Sequence, residues 1–287
     1  MAMVGSGRLG IIAGGGELPI AIAESARAAG REVFVFALQG MAAEQDVNPF
    51  PHDWGSLGEV GKGMKSLRDA GVTEVTLAGK VSRPEWNAIK LDARGALALP
   101  KVVAAAMKGD DALLRVMVEL FEKEGFRVIG TAEAAPNLVV PKGKLGRYAP
   151  TKDQESDIAI GVKVARALGA LDIGQAVAIC DGLVLALEAA EGTDAMIARI
   201  ANLPAPVRGT AAKRRGVLVK TPKPKQERRV DLPVIGMHTI ERVADVGLAG
   251  VAVEAGAALL LHRQKTIEAA DRLGLFLIGF DAGAYPA

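Results

Sequence analysis

Near its amino terminus the chain alternates between the residue patterns of strands and helices, and this alternation restricts the fold more than any other feature. An apolar run at Arg8–Ala13 leads into three consecutive glycines, a helix is predicted over residues 18–29, and a second apolar run follows at residues 33–37. The order strand, turn, helix, strand is typical of a parallel sheet covered by helices. The sequence therefore predicts an α/β fold with a parallel sheet in its N-terminal part.

The glycine turn also indicates a binding site. Glycines in front of a helix let backbone N–H groups come close to a phosphate or a sugar. The run from Ile12 to Pro19 does not match G-x-G-x-x-G, and no acidic residue ends the second strand, so a dinucleotide cofactor is disfavoured. A tight turn without a ligand, and an α/β oxidoreductase that uses this turn, stay open as alternatives.

A further candidate site follows the next predicted strand, at residues 74–78. Lys80 leaves the carboxyl end of this strand, and open α/β sheets bind their ligands at the carboxyl ends of strands. Lys80 is therefore placed to meet an anion, with plain solvation as the alternative. The intervening residues 38–56 show no clear period and are predicted as a loop.

The distribution of prolines and glycines predicts two domains. They are frequent between residues 131 and 150, so we predict a Rossmann-like N-terminal domain at 8–135, a linker at 136–150 and a second α/β domain at 151–287. The active site is expected between the two domains. Within the second, two apolar runs flank Asp181-Gly182, which is the strongest hairpin signal in the chain.

The most densely charged stretch runs from Lys220 to Gly236 and contains three prolines. Proline fixes φ and removes a backbone donor, so an ordered, extended loop is predicted. Lys220 and Lys223 can bind a polyanion. Glu227 and Asp231 can coordinate a divalent metal or orient a water. These residue types favour phosphoryl chemistry on a nucleotide or a phosphosugar. A solvated loop whose charges cancel is the alternative.

Composition and missing motifs narrow the classes of function. A net charge of +2 without a basic helix gives no case for nonspecific nucleic-acid binding. The single cysteine, Cys180, excludes an internal disulfide and fits a reducing compartment. The sequence shows neither a signal-peptide pattern nor an apolar run of about 18 residues. Three scattered histidines argue for a metal held by oxygen, for which Mg²⁺ or Mn²⁺ is the chemical expectation.

Several short segments occur in an order that is similar to one family. They are IIAGGGELP (11–19), GKVSRP (79–84), DIAIG (157–161), DIGQAV (172–177), LEAAEGTDAM (187–196), GVLVK (216–220), KP (223–224), DLPVIG (231–236) and VAVEAG (251–256). Together they resemble the UDP-2,3-diacylglucosamine pyrophosphatases of the LpxI type, and the resemblance extends from Arg8 to about Phe280.

The resemblance implies an enzyme of the lipid A pathway. It would hydrolyse UDP-2,3-diacylglucosamine to UMP and 2,3-diacylglucosamine 1-phosphate (lipid X), with Mg²⁺ as the cofactor. In this family the N-terminal domain is associated with the nucleotide and the C-terminal domain with the acylated sugar phosphate. The chain departs from the family pattern at Glu227, where an aspartate is expected; glutamate keeps the charge and is one methylene longer.

Expected roles follow from the resemblance and from the charged loop. Asp231 is the expected central carboxylate, which coordinates Mg²⁺ with Glu227 or orients a water. Lys220 and Lys223 are expected to contact the pyrophosphate, and Asp194 to add a second catalytic carboxylate. The other expected substrate contacts are Gln175 and Thr193 near the sugar phosphate, and Gly14, Gly15, Gly16, Leu18, Lys80 and Val81 on the UMP side.

The implied substrate also sets the expected partners and location. A lipid-linked nucleotide sugar implies a cytoplasmic protein with transient peripheral contact at the inner membrane. Chains of this size that are rich in small residues often dimerise, so a homodimer is one state to test. The rival function is a non-catalytic nucleotide-sugar-binding protein, which would bind the substrate in Mg²⁺ without turnover.

Overall fold

The computed structural model describes residues 7–81, 89–224, 229 and 232–285 of the chain. These residues form two compact units. The first contains the residues up to Asn137 together with Arg229, and the second contains the other described residues from Leu138 onwards.

The described part of the first unit is built on one parallel sheet. Its strands are β1 (Arg8–Ala13), β2 (Val33–Leu38), β3 (His52–Gly55), β4 (Val72–Ala78) and β5 (Arg127–Val128). They lie in the order β3-β2-β1-β4-β5, and every neighbouring pair is parallel. All six residues of β2 are buried, which is the pattern of a strand covered on both faces. The parallel sheet predicted for this part of the chain is confirmed.

Helices connect and cover these strands. They are α1 (Leu18–Ala28), α2 (Glu44–Val47), α3 (Val60–Asp69), α4 (Ala93–Ala106), α5 (Asp110–Lys123) and α6 (Thr131–Ala134). Proline in the first turn of α1 suits a helix start, because its missing N–H has no intrahelical partner there. Asp92 caps α4, since its carboxylate accepts a hydrogen bond from Gly95 N at 2.7 Å.

The prediction of a loop over residues 38–56 is wrong at the one-turn helix α2 and at β3. This strand pairs with β2 from His52 to Gly55, and only Gly55 in it is buried. A polar strand at the edge of a sheet lacks the alternation of apolar residues that identifies strands from sequence.

The second unit contains a mixed sheet. The strands of this unit are β6 (Gly143–Lys144), β7 (Ala176–Cys180), β8 (Leu183–Leu187), β9 (Val217–Lys220), β10 (Val234–Ile235), β11 (Gly250–Glu254), β12 (Leu259–Leu260) and β13 (Phe276–Phe280). Six of the described strands lie in the order β6-β13-β11-β9-β7-β8, with β9, β11 and β13 parallel. The strands β10 and β12 pair separately.

The helices of the second unit pack against this sheet. They are α7 (Lys152–Ala170), α8 (Gly192–Ile200), α9 (Met237–Asp245) and α10 (Arg263–Arg272), with a short 3₁₀ helix at Ala282–Ala284. Another 3₁₀ helix, Pro136–Leu138, spans the division between the two units. None of the helices in the described portion of the chain has the length and apolar character needed to cross a bilayer.

The predicted hairpin is confirmed between β7 and β8, which pair antiparallel. Its turn residues Asp181 and Gly182 both have positive φ, at 49° and 78°, as a tight two-residue turn requires. The buried carboxylate of Asp157 on α7 accepts hydrogen bonds from both turn N–H groups, at 3.0 Å and 2.7 Å. Burial raises the pKa of Asp157 above its ordinary value.

The stretch 136–150 contains the division between the two units. Asn137 belongs to the first unit and Leu138 to the second. Beyond it, Val140 is buried in the core of the second unit, and β6 pairs antiparallel with β13. The residues from Leu138 onwards are thus built into the second unit.

Glu59 provides a test of the turn that precedes α3. Its carboxylate accepts hydrogen bonds from Ser56 N at 2.8 Å and Ser56 Oγ at 3.1 Å and pairs with Lys90 at 2.9 Å. The backbone hydrogen bond, with the help of Lys90, lowers the pKa of Glu59 from 4.5 to about 2. A lowered folded-state pKa stabilises the protein above the unfolded-state value, and this contribution is lost as the pH falls from 4.5 toward 2.

We expect Glu59→Gln to lower the free energy of unfolding near neutral pH by about 1–3 kcal/mol, because hydrogen bonds to a charged acceptor are lost. The difference from wild type should shrink below pH 4.5, as urea denaturation over a pH series would show. Glu24→Gln, at an exposed position of α1, is the control and should stay close to wild type throughout. A Glu59→Gln deficit that did not change with pH would contradict this account.

Candidate active site

In the first unit, the glycine turn and the residues after β4 are paired through their backbones. Gly15 N donates to Lys80 O, and Lys80 N donates to Gly15 O, both at 2.8 Å. A Cβ on Gly14 would lie 2.5 Å from Lys80 O, so only glycine fits there. Gly79 has φ +95°, and a Cβ there would lie 2.8 Å from Gly15 O. The structure therefore brings together the two segments that were predicted separately as anion-binding.

This pairing changes which atoms of the turn can reach a ligand. The N–H of Gly14 donates to Ala78 O at 2.9 Å, and the N–H of Gly15 is used by Lys80. Gly16 N–H has no hydrogen-bond partner in the described parts of the chain. Gly16 has a φ of +88°, and a Cβ built on it would meet no atom within 4 Å. The donors available at this turn are thus those of Gly16 and of the first turn of α1, which begins at Leu18.

Lys80 and Val81 lie at the edge of this turn. Val81 is about half exposed, at 48%. Gly16 and Leu18 follow the carboxyl end of β1, as Lys80 and Val81 follow that of β4. A cation, unused N–H donors and an apolar contact at one sheet edge suit a ligand that carries both phosphate and a ring.

In the second unit, a buried lysine ends β9. Lys220 is only 5% exposed, and its Nζ donates to Thr193 Oγ1 at 3.1 Å and to Val234 O at 3.3 Å. A lysine ammonium is rarely buried without partners, because removing its charge from water is costly. The predicted residues Lys220 and Thr193 are therefore in direct contact, at the strand end where open sheets bind ligands.

Glu188 joins this cluster and was not among the predicted site residues. It is 6% exposed, accepts a hydrogen bond from Thr193 Oγ1 at 2.5 Å on one oxygen, and accepts another from Gln175 N at 2.9 Å on the other. It follows the apolar run of β8 directly, and in sequence such a glutamate resembles a solvated one at a strand end. Glu188 holds the start of α8 against the edge of β7.

Two buried oxygens beside this cluster lack hydrogen-bond partners. Thr221 is fully buried, and its Oγ1 has no partner among the described residues; the same holds for the buried Oε1 of Gln175. The backbones of these two residues are joined, since Thr221 N donates to Gln175 O at 3.0 Å. An unpaired buried polar atom costs free energy, so these two oxygens have hydrogen-bonding capacity that a water or a bound polar group would use.

Other predicted site residues lie apart from this cluster or have other neighbours. Lys223 Nζ pairs with Asp172 Oδ1 at 2.7 Å, so one carboxylate already balances its charge. Asp194 is half-buried in the first turn of α8, where a carboxylate interacts favourably with the helix dipole.

Cys180 is buried, and burial raises the pKa of its thiol, which disfavours a nucleophilic role.

The predicted metal ligands Asp231 and Glu227 lie outside the described residues. In the ranges that the structure does describe, no group of three histidine, cysteine or carboxylate side chains could hold a metal ion. The carboxylate oxygens of Asp231 and Glu227 are donors of the kind that Mg²⁺ prefers. Arg229, between them in sequence, accepts a hydrogen bond on its backbone O from Thr131 N at 3.2 Å and pairs with Glu122 at 2.8 Å.

Comparison with known proteins gives consistent matches over both units. The model of the LpxI N-terminal domain matches residues 8–138, and that of the LpxI C-terminal domain matches residues 141–278. The chain is 49% identical over 279 residues to the UDP-2,3-diacylglucosamine pyrophosphatase LpxI of Caulobacter vibrioides. This alignment covers 97% of the chain and 99% of the relative.

Thr193→Val tests the buried cluster around Lys220. The substitution keeps the shape of the side chain but removes the hydroxyl that contacts both Lys220 Nζ and Glu188 Oε1. We expect a loss of about 1–3 kcal/mol in the free energy of unfolding, because two buried charged groups lose a partner. Chemical denaturation monitored by circular dichroism would measure it.

Thr239→Val on α9 is the matched control for this substitution. The Thr239 hydroxyl makes no hydrogen bond within the described residues, so its replacement should change stability by less than about 0.5 kcal/mol. Equal effects of the two substitutions would show that the Thr193 hydroxyl does not hold the cluster together.

Proposed function

This chain belongs to the LpxI family, and we propose that it hydrolyses the pyrophosphate bond of UDP-2,3-diacylglucosamine, yielding UMP and 2,3-diacylglucosamine 1-phosphate (lipid X) in lipid A biosynthesis. The observation that carries this proposal is the 49% identity to the Caulobacter enzyme over 97% of the chain. Matches to both family domains support it.

We propose that the first unit is a Rossmann-like domain that binds the UMP part of the substrate. From β1 the chain moves outwards to β2 and β3, and then returns to place β4 on the other side of β1. Open α/β sheets bind ligands where the strand order reverses in this way. The glycine turn and Lys80 lie at this position, which supports a nucleotide contact through Gly16 N–H, the start of α1 and the Lys80 ammonium.

The second unit is proposed to bind the sugar phosphate. The Lys220 ammonium supplies positive charge inside a buried site, where electrostatic attraction to phosphate is stronger than in water. The unpartnered oxygens of Thr221 and Gln175 suit hydrogen bonds from sugar hydroxyls or amides. Glu188 keeps Thr193 and Gln175 in place and so acts as a positioning residue.

Hydrolysis of an anhydride between two phosphates requires charge neutralisation and a positioned water. We assign the orientation of the water to Asp231, and neutralisation of the phosphates to Lys220 and Lys223. Asp231 and Glu227 would hold Mg²⁺, which when bound neutralises charge on the phosphate oxygens. For Lys223 to contact the substrate, its ammonium must leave Asp172 or donate to Asp172 and to a phosphate oxygen at the same time. Asp194, at the start of α8, is a second carboxylate for this site.

A lipid-linked substrate also bears on location and assembly. We propose a cytoplasmic protein that contacts the inner membrane transiently, because the acyl chains of the substrate partition into lipid. A homodimer is the proposed oligomer, which light scattering on the purified protein would test directly.

The proposed reaction is tested by incubating the protein with UDP-2,3-diacylglucosamine in Mg²⁺ and in chelator. We expect UMP and lipid X to form in equal amounts with Mg²⁺, and at least about 10²-fold more slowly in chelator, since metal-assisted charge stabilisation is lost. Tight binding without either product would favour a nucleotide-sugar-binding protein. Equal rates with and without chelator would remove Mg²⁺ from the proposal while leaving the reaction.

The role of Asp231 is tested by Asp231→Ala. If its carboxylate positions the attacking water, the turnover number should fall by about 10²–10⁴ while substrate affinity changes little. Asp245→Ala, at an exposed position of α9, is a control that should retain wild-type turnover. Wild-type turnover in Asp231→Ala would dismiss the assignment.

A further inference from the structure

The first unit contains a large, partly open cavity that is separate from the glycine turn and Lys80. Its volume is about 370 Å³, and it lies between one face of the sheet and the helices α3, α4 and α5. Ile12, Phe36 and Leu77 form its floor on the sheet. Protein interiors are close-packed, and a domain of this size has few voids larger than a water molecule. A cavity of this volume is in the range of ligand pockets.

The helices present continuous apolar faces to this cavity. On α4 the lining residues Ala98, Val102 and Ala106 recur every four positions, so they lie on one face of the helix. On α5 the residues Leu113, Met117 and Phe121 recur in the same way. The side chains of two helices thus line an empty cavity. If these helices only covered the sheet, their side chains would be expected to fill this space.

The chemistry of the lining selects an apolar ligand. Ser56 and Glu59 are the lining residues with polar side chains in the described part of the chain, and they bond to each other. Glu59 also pairs with Lys90, so its charge is already balanced. A ligand with a buried charge or many hydroxyls would find no partners here, whereas a hydrocarbon needs none.

The opening of the cavity lies beside the proposed nucleotide site. Ala78, Gly79 and Val81 line it, and Lys80 lies between the last two in sequence. Val81 and Leu91 are 48% and 38% exposed, so the cavity reaches solvent at this edge. A molecule with an anionic head at Lys80 and a hydrocarbon tail in the cavity would match both features.

We propose that this cavity binds one fatty acyl chain of the substrate. The inference rests on the proposed function, which supplies a ligand with two acyl chains. It places an acyl chain in the first unit, although the family resemblance associates the acylated sugar phosphate with the second domain. The hydrophobic effect is non-directional and grows with the apolar area that is buried, so the cavity would favour long acyl chains over short ones.

The volume sets the length of chain that fits. An apolar cavity of about 150 Å³ binds benzene, so by proportion 370 Å³ holds roughly 12 to 15 carbons. Each buried methylene raises affinity by a factor of roughly four. Substrate affinity should therefore rise with chain length up to this limit and then level off.

Ala98→Phe fills the cavity from α4, and Ala96→Phe places the same ring on the exposed face of that helix. Binding of tetradecanoate is measured by calorimetry, and turnover is measured with long-chain and diacetyl forms of the substrate. We expect Ala98→Phe to weaken tetradecanoate binding and raise KM for the long-chain form by at least about tenfold. The diacetyl form should react as with wild type, and Ala96→Phe should match wild type in every assay.

A second variant keeps the test decisive if Ala98→Phe does not fold. Met117→Ala enlarges the cavity from α5 and should move the preferred chain length up by one or more carbons, relative to wild type. A folded Ala98→Phe with wild-type binding and KM, or an unchanged preference in Met117→Ala, would overturn the inference.

The outcomes also separate this inference from the proposed function. Turnover that is insensitive to Ala98→Phe would leave the reaction intact and dismiss the acyl site. Tetradecanoate binding that Ala98→Phe abolishes, in a protein without turnover, would retain a fatty-chain site and dismiss the substrate as its source.

Discussion

The first unit depends on the backbone pairing between the glycine turn and the residues after β4. This pairing lets Gly15 and Lys80 exchange two hydrogen bonds just beyond the sheet, where the neighbouring backbones leave no room for a Cβ on Gly14. Because it fixes the ends of two central strands, it also fixes the start of α1 and the position of Val81. The polar site at this edge and the opening of the apolar cavity are thus held by one element.

In the second unit, Glu188 is the residue that holds several elements of the candidate site together. Its two oxygens bond to Thr193 and Gln175, and Thr193 in turn accepts from Lys220. Replacing Glu188 would leave the Gln175 N–H and the Thr193 hydroxyl with fewer partners, and would release the hydroxyl that contacts Lys220. A buried network of this kind favours one arrangement of side chains, which a site that binds phosphate requires.

Local rules of sequence explain the features that were predicted correctly. The glycine turn needs glycine because neighbouring backbone atoms leave no room for a Cβ on Gly14. The hairpin turn needs residues that tolerate positive φ, as Asp181 and Gly182 do. Glu188 could not be recognised in this way, because an isolated glutamate at the end of a strand resembles a solvated one. Its role arises when β7 pairs with β8 and brings Glu188 beside Gln175, and when β9 places Lys220 at Thr193, a residue far from it in sequence.

The same distinction limits what a glycine-rich turn predicts about binding. Sequence suggested that the N–H groups of Gly14 and Gly15 face a ligand, yet Gly14 donates to Ala78 at the end of β4 and Gly15 donates to Lys80 after it. Their hydrogen bonds hold these residues, so the turn contributes to a site by placing Lys80 and by leaving Gly16 and the start of α1 accessible. Glycine is needed here for close approach of two backbones, and anion binding at this edge depends on what that approach brings together.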